Sequence, residues 1–239
     1  MELSKRLSAV ARLVDRCGCA ADIGTDHGYV PIFLVESGIA DRVIAMDVNK
    51  GPLERARLHI AGAGLAGRIE TRLCDGLKGL KPKEADTVIA AGMGGGLIIR
   101  ILSEGKEAVD SLTSCVLQPQ SEIAKVRRYL ADHGLVIVKE DIVLEDGKYY
   151  PVMKAVHGEP EPYEEYEYIY GKKLLGMRHP ILKEFLRREQ SLKESIAADL
   201  RMHADSGGAK ARLEQVSREA EYVRQALGCF EQRMPREDE

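Results

Sequence analysis

Residues 20–31, Ala-Ala-Asp-Ile-Gly-Thr-Asp-His-Gly-Tyr-Val-Pro, constrain the fold more than any other stretch of the 239-residue chain. A short apolar run ends at Asp22, meets Gly24, passes through a polar turn, and reaches Gly28 where a helical pattern opens. Strand, tight turn and helix in that order build a nucleotide-sized hole at the carboxyl edge of the first strand of an open α/β sheet. Gly24 lets the backbone turn sharply, and Gly28 removes a Cβ where a ligand or the strand comes close. The unpaired N–H groups and positive end of the following helix then face the hole. A dinucleotide-binding loop carries glycine and small residues where this one has Asp26-His27. A carboxylate there repels a pyrophosphate. The charges suit a nucleoside with a cationic or zwitterionic tail, such as S-adenosylmethionine, better than NAD.

Upstream, Leu3, Leu7, Val10, Ala11 and Val14 form one apolar helical face, with Lys5, Arg6 and Arg12 off it. Those bases either cover the mouth of the site and meet a phosphate or are simply solvated. Downstream, residues 31–37 continue as a helix stopped by Gly38. Val43-Ile44-Ala45-Met46 reads as a second buried strand ending at Asp47, where a carboxylate is placed to accept both ribose hydroxyls. A turn at 49–52 leads to a helix from Leu53 to Ala63. Strand three, Ile69 to Leu73, leads into Cys74-Asp75-Gly76, where Asp75 can accept from an adenine amine. Strand four, 85–91, runs into Gly92-Met93-Gly94-Gly95-Gly96 before a helix over 97–102. Consecutive glycines are costly to order, so they mark a backbone lying against a flat ligand or a tight turn.

Cys115-Val116-Leu117 is strand five, followed by Gln118-Pro119-Gln120 and a helix over 122–132. Residues 135–144 and 149–156 then read as two longer strands joined by an Asp146-Gly147 hairpin. Alternating strands and helices closed by a hairpin predict an α/β, Rossmann-like seven-stranded sheet with an antiparallel C-terminal edge strand, the plan of S-adenosylmethionine-dependent methyltransferases. Residues 1–157 form this predicted catalytic domain, and 158–239 a linker and an α-helical antiparallel coiled-coil hairpin. The linker holds four tyrosines among glutamates (158–170), which read as packing on the catalytic domain rather than stacking on bases. Leu182, Phe185, Leu192, Ile196 and Leu200 form one helical face; Asp205-Ser206-Gly207-Gly208 is a turn; Leu213, Val216, Ala220, Val223, Leu227, Phe230 and Met234 form a heptad seam.

A net charge of −3 makes no global case for nucleic acid, although residues 172–224 carry an excess of bases. There is no apolar run long enough to span a membrane and no secretory signal at the N-terminus, so no membrane partner is expected. Five cysteines with no CxxC pair suit a reducing cytoplasm; Cys17 and Cys19 read as structural residues or, less simply, zinc ligands.

Taken together, Leu3-Ser4-Lys5-Arg6-Leu7, Asp22 to Pro31, Asp75-Gly76-Leu77, Ala91-Gly92-Met93-Gly94-Gly95 and Leu117-Gln118-Pro119 resemble bacterial tRNA (adenine-N1)-methyltransferases acting on adenosine 22. The likeness covers essentially the whole chain; Asp47 and Gln120 stand where many members carry Glu and Asn. It implies methyl transfer from S-adenosylmethionine, without a metal, to N1 of adenosine 22 in tRNA, and leaves the oligomeric state open. The implied cofactor-binding residues are Asp22, Gly24, Thr25, Gly28, Asp47, Val48, Asp75, Gly76, Gly92, Met93 and Gly94. Asp26, His27 and Tyr29 are the catalytic candidates: Asp26 to balance the cation, His27 or Tyr29 to position the ring. Two bland readings stand beside these, Asp26 as partner of the cofactor's ammonium and His27 as a helix cap. The alternatives for the whole chain are methylation of another RNA or small molecule, and a non-catalytic module binding S-adenosylmethionine or RNA.

Overall fold

The computed structural model describes residues 2–202 and 207–231. Two compact units emerge, Met1–Glu161 and Pro162–Glu239. In the first, β1 (Cys17–Ile23), β2 (Ala40–Asp47), β3 (Ile69–Leu73), β4 (Thr87–Gly94), β5 (Ser114–Ser121), β6 (Leu135–Glu145) and β7 (Lys148–His157) make a seven-stranded sheet ordered β3-β2-β1-β4-β5-β7-β6. β1 to β5 are parallel, and β7 pairs antiparallel with both β5 and β6. The hairpin is therefore inserted as a unit at that edge, with β6 outermost. Its two-residue turn places Asp146 (φ 49°) and Gly147 (φ 74°) both in the left-handed region, the conformation that matches strand twist.

Helices cover both faces, which is why the parallel strands read as continuous apolar runs rather than alternating ones. Side chains still alternate in destination. Ala21 and Ile23 join a core with Ile44, Met46, Val88 and Ala90, under α4 (Gly95–Glu104) and α6 (Ile123–Asp132). Ala20 joins the opposite core with Val43, Ala45 and Ile89, under α1 (Lys5–Leu13), α2 (Tyr29–Glu36) and α3 (Lys50–Gly62). A short helix α5 (Lys106–Val109), too brief to leave a periodic signal, leads into β5. The turn expected at 49–52 is instead the first turn of α3, where Pro52 loses nothing because its N–H would be unpaired there.

The glycine cluster also resolves differently from expectation. Gly92 and Gly94 belong to a bulged end of β4, and α4 begins at Gly95. A Cβ on Gly95 would stand 2.5 Å from the Ser121 carbonyl oxygen and 3.0 Å from Val126. Gly95 is thus required by the closeness of β5 and α6, and no flat ligand need be invoked there.

The second unit contains α7 (Glu165–Tyr170), α8 (Lys172–Gly176), α9 (Pro180–Met202) and α10 (Gly207–Gly228). Lys193 pairs with Glu219 at 2.9 Å, and Lys183 lies 5.8 Å from the Phe230 ring centroid, so α9 and α10 run antiparallel. Val216, Val223 and Ala226 are buried along α10. On α9 the inward face is Leu182, Leu186 and Ala197, and Leu192 is exposed. The reason is that Lys193, one residue on, turns inward between Glu189 and Glu219. The linker tyrosines find partners within this unit: Tyr170 is buried against Phe185, and Tyr163 packs on Tyr168. Asp205, Ser206 and Met234 lie outside the described residues, and Gly207-Gly208 opens α10. Among the described residues no helix is long and apolar enough to cross a membrane.

Gly95→Ala is expected to destabilise the fold by about 1–3 kcal/mol through overpacking. Gly62→Ala, at the end of α3 with nothing within 4 Å of the added methyl, is expected to gain about 0.5–1 kcal/mol. Denaturant midpoints of the two variants on the full chain check the pair; equal midpoints contradict the packing account.

Candidate functional site

Between β1 and β4 the direction of the crossovers reverses, so the loops leaving these neighbouring strands part and open a crevice. The loop after β1 is tied to β2, because the Gly24 and Thr25 N–H groups both donate to the Met46 carbonyl, at 2.8 and 3.0 Å. Gly24 has φ +70°, and the Met93 methyl group lies over it where a Cβ would sit. Gly28 (φ +73°) is the N-cap of α2 and stands against Ala56 of α3. Its missing side chain thus serves helix packing rather than a ligand. His27 Nδ1 is buried without a hydrogen-bond partner, so it does not cap α2.

Two carboxylates sit buried at the adjacent strand ends. Asp22, 5% exposed, has its carboxyl pushed up to about 7 by burial, with the Thr25 hydroxyl partly offsetting the rise and nearby Asp47 adding to it. Asp47 accepts from the Asn49 N–H at 2.8 Å and from the Asp26 N–H at 3.4 Å. Val48, beside it, is an exposed apolar side chain. At the end of β3, Asp75 pairs with Lys78 (3.0 Å) and Arg100 (3.4 Å), which hold its carboxyl below the usual range. Gly76 (φ +57°) is packed against Ile101.

A cavity of about 690 Å³, of the size that takes a small-molecule ligand, occupies the crevice. Asp22, Gly24, Thr25, Asp26, His27, Tyr29 and Gly92 line it. Gly28, Asp47, Val48, Asp75, Gly76, Met93 and Gly94 are not in its wall; Asp47 and Met93 act on it through the loop they touch. The Thr25 hydroxyl is buried in this wall beside the Asp22 carboxyl.

Three groups emerge that the strand-end logic did not single out for this site. Arg6, half-buried rather than solvated, lines the cavity and donates from Nη1 to Gln118 Oε1 at 3.0 Å. Gln118, fully buried, also accepts from the Gly92 N–H at 3.1 Å. A polar residue closing an apolar strand was the available signal. His59, on α3, completes a cluster of near-parallel rings with His27 and Tyr29, centroids 5.3–5.6 Å apart, and its Nδ1 lies 2.9 Å from the His27 carbonyl. Beside the cluster Asp26, at φ 48°, pairs with Arg55 at 3.0 Å and stands 3.6 Å from His27 Nε2. Among the described residues no three His, Cys, Asp or Glu side chains are grouped to hold a metal ion.

Residues 3–153 match the family described as "Methyltransferase domain". A curated relative, the tRNA (adenine(22)-N(1))-methyltransferase of Bacillus subtilis, is 31% identical over 95% of this chain and 98% of its own. The crystal structure of the B. subtilis tRNA methyltransferase TrmK is similar with a TM-score of 0.82, 31% identity, and 94% and 98% of the two chains covered. A Streptococcus pneumoniae protein solved in complex with S-adenosyl-L-methionine gives a TM-score of 0.83 at 30% identity, over 95% of this chain and 100% of that one.

Because burial raises the Asp22 value to about 7, its ionised form is the disfavoured one in the folded state. Its contribution to stability is therefore full below the ordinary carboxylate value of 3.8 and is lost as pH rises through about 7. Asp22→Asn in the unliganded protein is expected to match wild type near pH 4 and to melt progressively higher than wild type toward pH 8. Thermal melts across that range decide; parallel curves would remove the buried-charge assignment.

Proposed function

We infer, for a chain that belongs to the tRNA (adenine(22)-N(1))-methyltransferase family, that its site moves a methyl group from S-adenosylmethionine to N1 of adenosine 22 in tRNA. The observation that carries the reading is the cavity itself, with buried Asp22 and Thr25 in its wall and Asp26, His27 and Tyr29 lining it as well. Those groups fit such a guest, since an acid-lined hole favours a cation. When bound, S-adenosylmethionine supplies a methyl group carried on a sulfonium. Asp47 would accept the ribose hydroxyls from the end of β2, beside the exposed Val48.

N1 of neutral adenine offers a lone pair and carries no proton, so no residue has to act as a base. N1 faces inward in a Watson–Crick pair, so the nucleotide must be unpaired or flipped to reach the site. The ring cluster of His27, Tyr29 and His59 offers a planar face on which a base can stack, worth about 1–3 kcal/mol. Asp26, 59% exposed at its side chain and held by Arg55, stands beside these rings, where it would stabilise positive charge arriving on the purine. Orientation and electrostatics are the whole of the enzyme's task. The reading places the protein with tRNA in the cytoplasm.

Primer extension on tRNA treated with and without the enzyme is expected to stop at position 22 only in the treated sample; no stop in any tRNA sinks the reading. Asp26→Asn keeps the left-handed backbone accessible, as alanine would not, and tests the charge alone. It is expected to lower kcat on the order of 100-fold with little change in cofactor Kd. A loss confined to cofactor affinity would instead make Asp26 the partner of the cofactor's ammonium. Asp47→Ala is expected to weaken S-adenosylmethionine binding by about 1–3 kcal/mol in calorimetry, and unchanged affinity would refute the ribose role.

A further inference from the structure

Helix α3 carries positive charge that the fold does not use. Over Lys50–Gly62 its charged residues are Lys50, Arg55 and Arg57 against Glu54 alone. Several bases elsewhere in the first unit are spent on acids: Arg72 on Glu84, Lys78 and Arg100 on Asp75, Arg12 on Asp141, Lys125 on Glu122. On α3, by contrast, Lys50 has no hydrogen-bond or ion-pair partner among the described residues. Arg57 is bonded to a neutral group, the Thr71 hydroxyl, at 2.7 Å. The sequence carries a net charge of −3, so a helix with an excess of uncommitted bases is a local feature.

Arg55 and His59, one turn apart, meet the loop after β1. Arg55 Nη2 donates to Asp26 Oδ1 at 3.0 Å, and among the described residues that is the one hydrogen bond its five N–H donors make. The side chain is 48% exposed, so the unspent donors are open to a ligand. His59 stacks with His27 and Tyr29, yet those two rings line the cavity and His59, exposed, does not. The ring platform therefore runs out of the cavity onto α3. Leu58, beside His59, is 73% exposed and adds an apolar surface there. A face of flat rings, apolar surface and guanidinium suits single-stranded nucleic acid, which presents bases and phosphates at a short repeat. The cavity wall itself holds Glu2, Asp22 and Asp26, which repel a phosphate. A nucleotide can then send its base in only with the backbone left outside, where α3 stands.

We propose that the RNA strand flanking the target nucleotide lies along the exposed face of α3, with the free donors of Arg55 on one of its phosphates; the proposal rests on the functional reading above. Arg55 then bridges Asp26 and the phosphate, so the side chain that braces the loop also anchors the substrate beside it. His59 continues the ring platform beneath the strand as it leaves the cavity.

Binding of an unmodified tRNA transcript to the full chain, followed by fluorescence anisotropy across a salt series, tests it. Arg55→Ala is expected to weaken binding roughly fivefold and to flatten the slope of log affinity against log salt by about 0.7, the share of one single-strand phosphate. Arg55→Lys, which keeps the charge, is expected to retain the wild-type slope. Leu58→Glu, a change at a side chain too exposed to disturb folding, is expected to weaken binding by a similar factor through repulsion. Unchanged affinity and slope in Arg55→Ala, with kcat alone lowered, would leave Arg55 as a brace for Asp26 and overturn the proposal. Wild-type binding by Leu58→Glu would overturn it as well. Weaker S-adenosylmethionine binding by Arg55→Ala in calorimetry, with the salt slope for tRNA unchanged, would assign the guanidinium to the cofactor and also overturn it. A wild-type protein that leaves position 22 unmethylated in every tRNA would bring down the functional reading itself, a result distinct from any failure at α3.

Discussion

The carbonyl of Met46 and the carboxylate of Asp47, consecutive groups at the end of β2, hold the backbone on which the site depends. The carbonyl takes the N–H groups of Gly24 and Thr25, and the carboxylate takes those of Asp26 and Asn49. Three successive residues of the loop after β1 are thereby fastened to the neighbouring strand, in conformations that include left-handed Gly24 and Asp26. Left-handed backbone at a non-glycine residue persists only where its surroundings over-determine it. Here the surroundings are this ladder, the Arg55 ion pair and the His59 contact to the His27 carbonyl. A crevice at a crossover reversal is a property of the sheet; a crevice with a fixed wall is a property of these bonds.

The sheet itself was legible. Strands buried on both faces leave apolar runs, Gly and Asp mark where they end, and the Asp146-Gly147 pair specifies its own turn, so all seven strands could be placed to within a few residues. What stayed hidden was whatever depends on contacts between distant segments. Gly95 and Gly96 looked like a surface made for a ligand because their real neighbours, Ser121 and Glu122, are a helix and a strand away in sequence. Leu192 looked inward because an apolar pattern cannot show that Lys193 is drawn into the hairpin by Glu189 and Glu219. The short helix α5 spans barely one turn and has no period to detect.

The candidate site divides along the same line. Asp22, Gly24, Thr25, Asp26, His27 and Tyr29 are close in sequence, and they line one cavity. Asp75 sits at the expected strand end, yet its carboxylate is engaged by Lys78 and Arg100, charges that lie 3 and 25 residues away along the chain. Arg6 and Gln118 are 112 residues apart; the sequence offers Arg6 as a base that covers the mouth of the site or is solvated, but not its bond to Gln118. Periodicity reports which side of an element is buried; it does not report which two elements share a wall.

Charge gives the site its logic. Asp22 and Asp47 are buried at neighbouring strand ends, an arrangement that raises the Asp22 value toward neutrality and is unfavourable until a cation arrives. Under the proposed function, that charge favours a sulfonium with an ammonium tail over a pyrophosphate-bearing nucleotide. The same carboxylate that is assigned to the ribose also accepts from the Asp26 N–H. Under the proposed roles, the cofactor side and the adenine side of the cavity are therefore joined through one backbone bond. A change in how Asp47 is engaged must then be felt at Asp26, so cofactor binding and the placement of the charge that faces the base are not independent variables in this fold.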